Sequence, residues 1–322
     1  MKLSIVIPVY NEEESLPRLL ERIDSVTQAN GYTTEIVLID DGSTDASWQV
    51  ITELRQKYPG VMGIRFRRNF GKAAALQTGF EHVSGDFVMT MDADLQDDPA
   101  EIPRFLEKMA EGFDVVSGWK KIRHDPWHKV GPSRVFNKMV SGLTGVSLHD
   151  HNCGMKCYRA EVLKEVHLYG ELHRFIPVLA ASRGFRVSEI VVTHHAREFG
   201  VSKYGFSRFL KGFLDLLSVK FVTSFGQRPN HFLGGFGVVL LGLGVGLVLL
   251  AWLFSLFCMA GCLGNALWPM WLCGRVEILG FLAMILGGQG LGCGLVAELV
   301  TRSHQNPTAS NCSIREILEK VE

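Results

Sequence analysis

The sequence predicts an α/β domain on a mostly parallel sheet, then a juxtamembrane amphipathic helix and two membrane-spanning helices. Three observations carry this. Through the first part of the chain, short apolar runs alternate with helical patterns, as in parallel sheets covered on both faces. Carboxylates directly follow several of those runs, at the strand ends where such sheets bind ligands. Finally, Phe232 to Phe257 runs 26 residues without a charge, and Ile278 to Ala297 runs 20 more with only Gln289 strongly polar. At about 1.5 Å per residue these cover roughly 39 and 30 Å, enough to cross a hydrocarbon layer of about 30 Å. A soluble core helix keeps one polar face, and these stretches have none. The expected division is 1–204 for the α/β domain, 205–230 for juxtamembrane helices, 231–300 for the membrane pair and 301–322 for a tail.

Leu3 to Val9 is an apolar run followed by Asn11 and three glutamates, a buried strand opening into a helix. Glu35 to Ile39 is a second strand, ending in the acidic turn Asp40-Asp41-Gly42-Ser43-Thr44-Asp45. Val61 to Phe66 makes a third strand and Phe87 to Met91 a fourth, with helical patterns near 13–28, 45–57 and 71–83. Tyr10 and Glu12, Asp40 and Asp41, and Asp92 and Asp94 all fall at carboxyl ends of strands.

The stretch Val88 to Pro99, VMTMDADLQDDP, is the focus of the chain. If the strand continues through Asp94, its period of two puts Asp92 and Asp94 on one face, with Ala93 too small to obstruct. Two hard oxygen ligands then face one point, which suits Mg2+ or Mn2+ bound by one or two carboxylates and substrate phosphates. Gln96 could add an amide oxygen or hold a metal-bound water. Asp97 and Asp98 fit better as caps of the helix beyond Pro99, whereas Asp92 and Asp94 lie too early to cap.

IVIPVYNEEESL, VLIDDGSTD, NFGKAAALQTGF and MDADLQDDP, in that order, closely resemble the family 2 glycosyltransferases, which have the Rossmann-like, nucleotide-sugar-binding GT-A fold. A dinucleotide-binding dehydrogenase would instead carry a glycine-rich fingerprint after the first strand. The resemblance implies that Pro8, Tyr10, Glu12 and Asp40 hold the base and ribose of a nucleotide sugar, UDP- or GDP-linked. An aromatic face and carboxylates suit a base and ribose hydroxyls. It further implies that Asp92 and Asp94 act at the donor diphosphate.

The next segment, 114–145, is basic, with Lys120, Lys121, Arg123, His124, His128, Lys129, Arg134 and Lys138. A departing nucleoside diphosphate and a phosphorylated acceptor both need positive charge, and Arg134, inside the helical run SRVFNKMVSGLTG, is the strongest single candidate. HDHNCGMKCYR, 149–159, lies where similar transferases carry an acidic residue proposed as the base; Asp150 is the nearest match. The spacing also admits Asn152, which could not act as a base, and an ionised phosphate acceptor needs little base help. A turn role for Asp150 is the plain alternative. Cys153 and Cys157 lack a second pair at zinc spacing, and the flanking histidines read as neutral turn residues.

Glu171 to Gly184 reads as one helix and Val187 to Val192 as a strand. Arg197, Ser202 and Lys203 match the residues that, in similar lipid-linked sugar transferases, close a loop over the diphosphate; a membrane-proximal basic patch is the rival reading. Phe206, Phe209, Leu210, Phe213, Leu214 and Leu217 recur at helical spacing, opposite Arg208, Lys211 and Asp215, as in a helix lying in the membrane interface. Glycines at 234, 235, 237, 242, 244, 246, 287, 288, 290, 292 and 294 suit close packing of the two spans, or of several chains as a homo-oligomer. Ser313 to Val321 reads as a short helix.

Met1 to Pro8 is too short an apolar stretch for a signal peptide, so the first 230 residues are expected in the cytoplasm. Arg208, Lys211, Lys220 and Arg228 precede the first span and Arg302 follows the second, against Arg275 alone in the connecting loop. That asymmetry puts both termini inside a multi-pass inner (cytoplasmic) membrane protein. Seven scattered cysteines make no disulfide framework, and equal counts of 33 basic and 33 acidic residues point away from nucleic acid. The resemblance is to polyprenyl-phosphate glycosyltransferases and dolichol-phosphate mannose synthases. It implies metal-dependent, inverting hexosyl transfer from a nucleotide sugar to a polyprenyl phosphate of undecaprenyl or dolichyl type. A polysaccharide synthase would carry Gln-x-x-Arg-Trp, but Gln227-Arg228 is followed by Pro229. A scaffold without turnover would not need Asp92, Asp94 and Gln96 intact.

Overall fold

Strands β1 (Lys2–Val9), β2 (Thr33–Asp40), β3 (Val61–Phe66) and β4 (Phe87–Thr90) are separated by helices α1 (Leu16–Ala29), α2 (Ser47–Lys57) and α3 (Lys72–Glu81). The computed structural model describes residues 1–122, 127–168, 170, 172–195, 207–225, 229–259, 267–303 and 314–318. β1 pairs in parallel with β2 and β4, and β2 with β3. Parallel neighbours need a long crossover, which the three helices supply. Then follow α4 (Ile102–Ala110), β5 (Val115–Trp119), α5 (Trp127–Thr144), β6 (Lys156–Arg159), α6 (Ala160–Glu165), α7 (Ile176–Ser182) and β7 (Val187–Val191). β6 runs antiparallel between β4 and β5, and β7 runs parallel beside β5.

β1 is apolar on both sides because both sides are covered. Leu3, Ile5 and Ile7 pack with Leu16, Leu20 and Phe105 from α1 and α4, whereas Val6 packs with Ala73, Leu76 and Phe80 of α3. This two-sided burial is the reason parallel strands read as continuous hydrophobic runs.

Three expectations are corrected. The fourth strand ends at Thr90, so the alternation that was to align Asp92 with Asp94 does not reach them; Ala93 and Asp94 lie in a turn. Glu171 to Gly184 is not one helix: a 3-10 turn, Leu172–Arg174, precedes α7. Pro177 sits in the first turn of α7, the place where a missing N–H does no harm, and Gly184 closes it at φ +96°. The described part of the tail is not helical either. Residues Ile314–Leu318 form strand β8, antiparallel to β3, giving the sheet order β7-β5-β6-β4-β1-β2-β3-β8. The unpaired backbone at the edge of β3 gives this short segment hydrogen bonds that outweigh its weak helical pattern.

Helix α8 (Ser207–Phe225) buries Leu216 and Val219 in the α3 side of the core and leaves Phe213, Leu214 and Leu217 exposed. The chain divides into two compact units, Met1–Val219 with the returning tail, and Lys220–Thr308.

The second unit is a hairpin of α9 (Pro229–Met259) and α10 (Leu267–Ser303). Each is long and apolar enough to cross a membrane, over Asn230–Phe257 and Cys273–Val300. Leu250, Leu253 and Leu256 are more than 60% exposed, which a core helix of a soluble protein does not show and a lipid-facing helix requires. Glycine sets the helix contact. A Cβ on Gly237 would lie 2.6 Å from the Gly287 carbonyl oxygen, and one on Gly244 2.6 Å from that of Gly280. These positions recur every seven residues along one seam. Gly235, Gly242, Gly246, Gly288 and Gly292 instead face open space. Gly287→Leu is therefore expected to destabilise the hairpin by roughly 1–3 kcal/mol, and Gly288→Leu to be tolerated. Thermal unfolding of the two variants in detergent checks this; equal effects would contradict the seam.

Candidate active site

The carboxyl ends of β1, β2 and β4 are cross-braced by polar side chains. Asn11, just past β1, sits at φ +55°, a rare conformation for a residue with a side chain. Its amide donates to Ser43 Oγ (2.9 Å) and its Oδ1 accepts from the Thr44 amide (2.8 Å), tying the loop after β1 to the loop after β2. Pro8 is half-buried opposite Ile39, and Tyr10 and Glu12 are half-buried on the following bend. Glu12 Oε2 accepts from Ser15 Oγ (3.0 Å).

Asp40 is fully buried. Its Oδ1 accepts from the Ser43 amide (2.8 Å) and its Oδ2 lies 3.4 Å from Arg65 Nε. Asp41 caps the other direction, accepting from the amides of Phe70 (2.7 Å) and Gly71 (3.0 Å). Burial pushes Asp41 up to about 6 in spite of those two amides. Gly42, at φ +70°, is required between them, because a Cβ would meet Arg68 backbone at 2.5 Å.

The loop after β4 carries the densest charge. Asp92 forms an ion pair with Lys72, the first residue of α3. Burial opposes its charge, yet Lys72, Lys120 and Lys156 hold its carboxyl well below the ordinary range. Gly154 lies under the same carboxylate: a Cβ there would come within 2.5 Å of Asp92 Oδ2. Asp94 is 8% exposed, and its Oδ1 accepts from the Gln96 amide (3.2 Å), closing a tight turn that places Leu95 at φ +60°. Gln96 is half-buried, its carbonyl accepting from the His195 amide (2.9 Å).

Asp98 caps the 3-10 turn Pro99–Glu101 through the Ala100 amide (3.0 Å), as expected. Asp97 does not cap. It is buried and pairs with Lys120 Nζ at 2.9 Å; burial of that lysine opposes its charge, but Asp97 first and then other negative charges around it, Asp92 among them, together drive its pKa up.

Asp150 is 1% exposed and accepts from the Asn152 amide (3.0 Å), the turn role that was its alternative reading. His149 stacks on Trp119 (3.9 Å between ring centres) and pairs with Glu189. His151 is buried, its Nε2 3.0 Å from Ser141 Oγ. Arg134 lies on the exposed side of α5, whereas Phe136, Asn137 and Val140 of the same helix are buried. Arg197, Ser202 and Lys203 lie outside the described residues.

The structure thus brings Asp92, Asp94 and Gln96 into one loop beside Lys72, Lys120 and Lys156. Sequence reasoning missed Lys72, Lys156 and Gly154. One signal was present: a lysine at the first position of a helix opposes the helix dipole, and Lys72 stands there for its partner's sake.

Burial, then Lys156, push His151 down to about 4 despite Asp150 nearby. A histidine neutral in the fold and charged when unfolded lends stability above pH 6.5 that is lost as pH falls toward 4. Asp41, shifted up, acts with the opposite sign between about pH 4 and 6, so the wild-type curve is flattened. Comparing wild type with His151→Gln isolates the first effect. The gap between them is expected to move by about 2 kcal/mol in the variant's favour from pH 7 to pH 5. Thermal melts at the two pH values measure it; a constant gap would contradict a neutral buried His151.

Residues 4–167 match the sequence pattern of glycosyl transferase family 2. Dodecaprenyl-phosphate galacturonate synthase of Rhizobium johnstonii is 40% identical, over 99% of this chain and 94% of its own length. Undecaprenyl-phosphate 4-deoxy-4-formamido-L-arabinose transferase of Klebsiella pneumoniae is 38% identical, over 96% of this chain and 90% of its own. Among solved structures, glucosyl-3-phosphoglycerate synthase of Mycobacterium tuberculosis, in complex with Mn2+, uridine diphosphate and phosphoglyceric acid, is 16% identical. It superposes on 69% of this chain and 78% of its own, at a TM-score of 0.54, which extends the fold likeness to the α/β domain. With a family pattern across half the chain, and relatives spanning nearly all of it with the two apolar helices included, this protein belongs to glycosyl transferase family 2.

Proposed function

We propose that this glycosyltransferase moves a sugar from a nucleoside diphosphate to the phosphate of a membrane polyprenyl phosphate. The observation that carries the proposal is the loop after β4, at the carboxyl edge of the sheet, where Asp94 and Gln96 share a tight turn and Asp92 is balanced by Lys72, Lys120 and Lys156. The two named relatives, each acting on a polyprenyl phosphate, support that acceptor, as do α9 and α10. Their sugars, a galacturonate and a formamido-arabinose, favour a modified sugar as much as a plain hexose.

Base and ribose lie over Pro8, Tyr10, Glu12 and the Asp40 turn in this reading, and the diphosphate extends toward the β4 loop. An oxygen of the lipid phosphate attacks the anomeric carbon. The bond from that carbon to the diphosphate oxygen breaks, its electron pair leaves with the nucleoside diphosphate, and the configuration inverts. Asp150, buried in its own turn, is not needed as a base, because the attacking phosphate is already ionised. Arg197, Ser202 and Lys203 would close over the diphosphate and exclude water.

Mg2+ or Mn2+ fits this loop in a restricted way. Among the described residues no three His, Cys, Asp or Glu side chains form a metal cluster, and Asp92 already engages Lys72. Asp94 and Gln96, with Asp92 alongside, make the donor set of a cation completed by substrate phosphates. Such a cation would neutralise charge on the leaving diphosphate. The mycobacterial structure holds Mn2+ with a nucleoside diphosphate, in keeping with this.

In this reading α9 and α10 cross the membrane as a pair, with the α/β domain and the β8 segment that pairs with β3 on one side. Lysine and arginine before α9 favour the cytoplasmic side of the inner membrane.

Purified protein given undecaprenyl phosphate, Mn2+ and a panel of labelled nucleotide sugars is expected to form one lipid-linked monosaccharide. Chelation should stop the reaction and Mn2+ restore it. Asp94→Asn should reduce turnover roughly a hundredfold or more without lowering the melting temperature. Undiminished turnover in that variant, or no lipid-linked sugar from any donor, would overturn the proposal.

A further inference from the structure

The chain does not simply leave the sheet after β7. That strand ends the sheet, three places from β4 in the strand order, yet the residues after it turn back across the carboxyl ends to meet the loop after β4. The Val192 amide donates to the Trp119 carbonyl (3.1 Å) at the end of β5. His194 then forms an antiparallel bridge with Asp97, and the His195 amide donates to the Gln96 carbonyl (2.9 Å). Side chains reinforce the pairing on both flanks. Glu101 Oε1 accepts from the amide (3.0 Å) and from Oγ1 (2.8 Å) of Thr193, and His195 Nε2 lies 3.0 Å from Asp98 Oδ2.

This crossing commits the main chain of Gln96 in both directions. Its amide donates to Asp94 Oδ1 (3.2 Å) and its carbonyl accepts from His195, while its side-chain amide forms no hydrogen bond among the described residues. Asp97, the next residue, is held from elsewhere, by Lys120 Nζ and by the Asp92 amide (3.4 Å). Glu101 is itself fixed, being buried and ion-paired with Arg104. Leu95, at φ +60° in the middle of the Asp94–Gln96 turn, needs such outside contacts to keep its conformation.

We propose that Thr193 to His195 form a positioning strap that holds Gln96 against Asp94, at the spacing with which the two meet the donor diphosphate and its cation. His195 and Glu101 act through Gln96 and are positioning residues. The orientation of a ligating group is set by the groups that hold it, and loosening them weakens the site although the ligands remain. The strap also explains why an edge strand of the sheet bears on a site built at its middle.

The inference rests on the reading of Asp94 and Gln96 as donor ligands, and the test separates the two. Mn2+ is titrated into the full-length protein in detergent with UDP or GDP, and free Mn2+ is read by electron spin resonance. His195→Ala is expected to weaken Mn2+ binding about tenfold. Thr193→Val, which removes one of two donors to Glu101, should weaken it about threefold. Thr193 is exposed, so its variant reports even if His195→Ala does not fold. His195→Gln, which keeps an N–H toward Asp98, should stay closer to wild type than His195→Ala. Gln96→Ala should cost at least as much as His195→Ala, and the double variant no more than Gln96→Ala alone, because nothing is left to position. Single strap variants that bind Mn2+ like wild type, or losses that add in full in the double variant, would overturn the strap alone. A Gln96→Ala protein that binds Mn2+ like wild type, or a wild type that binds none with either nucleotide, would remove the donor reading beneath it.

Discussion

Charge balance around Asp92 is the constraint on which the site depends. Its partners come from three parts of the chain, Lys72 at the start of α3, Lys120 after β5 and Lys156 in β6. None of the three is near Asp92 in sequence, so only the fold brings them to it. Removing one member of a partly buried charge group strands the others at a cost of several kcal/mol, so the group acts as a unit. Gly154 belongs to that unit although it carries no charge, since any side chain there would occupy the carboxylate's position.

Rigidity is concentrated in the same region. Asn11 and Leu95, the two described residues other than glycine with positive φ, stand in the loops after β1 and β4. Such conformations cost on the order of 1–3 kcal/mol and persist only where surrounding contacts over-determine them. Asn11 is fixed by Ser43 and Thr44, and Leu95 is fully buried between Asp94 and Gln96. The loops at the proposed donor site are therefore pre-shaped, which would spare the reaction the entropy of ordering them.

Much of the fold was legible because hydrophobic periodicity is a local signal. The first three strands and the helices between them fall close to where alternation and caps put them, and the long apolar stretches became α9 and α10. Most of the failures reflect dependence on distant partners. Ile314–Leu318 became a strand because β3 offers an edge, more than 240 residues away. The segment 171–184 was split by Pro177, a local cue that a run of apolar residues obscured. In the site, the acids were visible as a cluster in one stretch, whereas their lysines were scattered among unremarkable helix and strand positions. Lys156, between Met155 and Cys157, gave no hint that its side chain would be buried. Asp97 read as a helix cap and is instead the partner of Lys120.

In the proposed reaction the leaving diphosphate lies at the end of β4, over Asp94 and Gln96 and beside the lysines that balance Asp92. A structure of the protein with a nucleotide sugar bound tests this most directly. Its diphosphate is expected at the β4 loop over Asp94 and Gln96, with the base beside Tyr10. A diphosphate lodged away from residues 92–96 would contradict the arrangement.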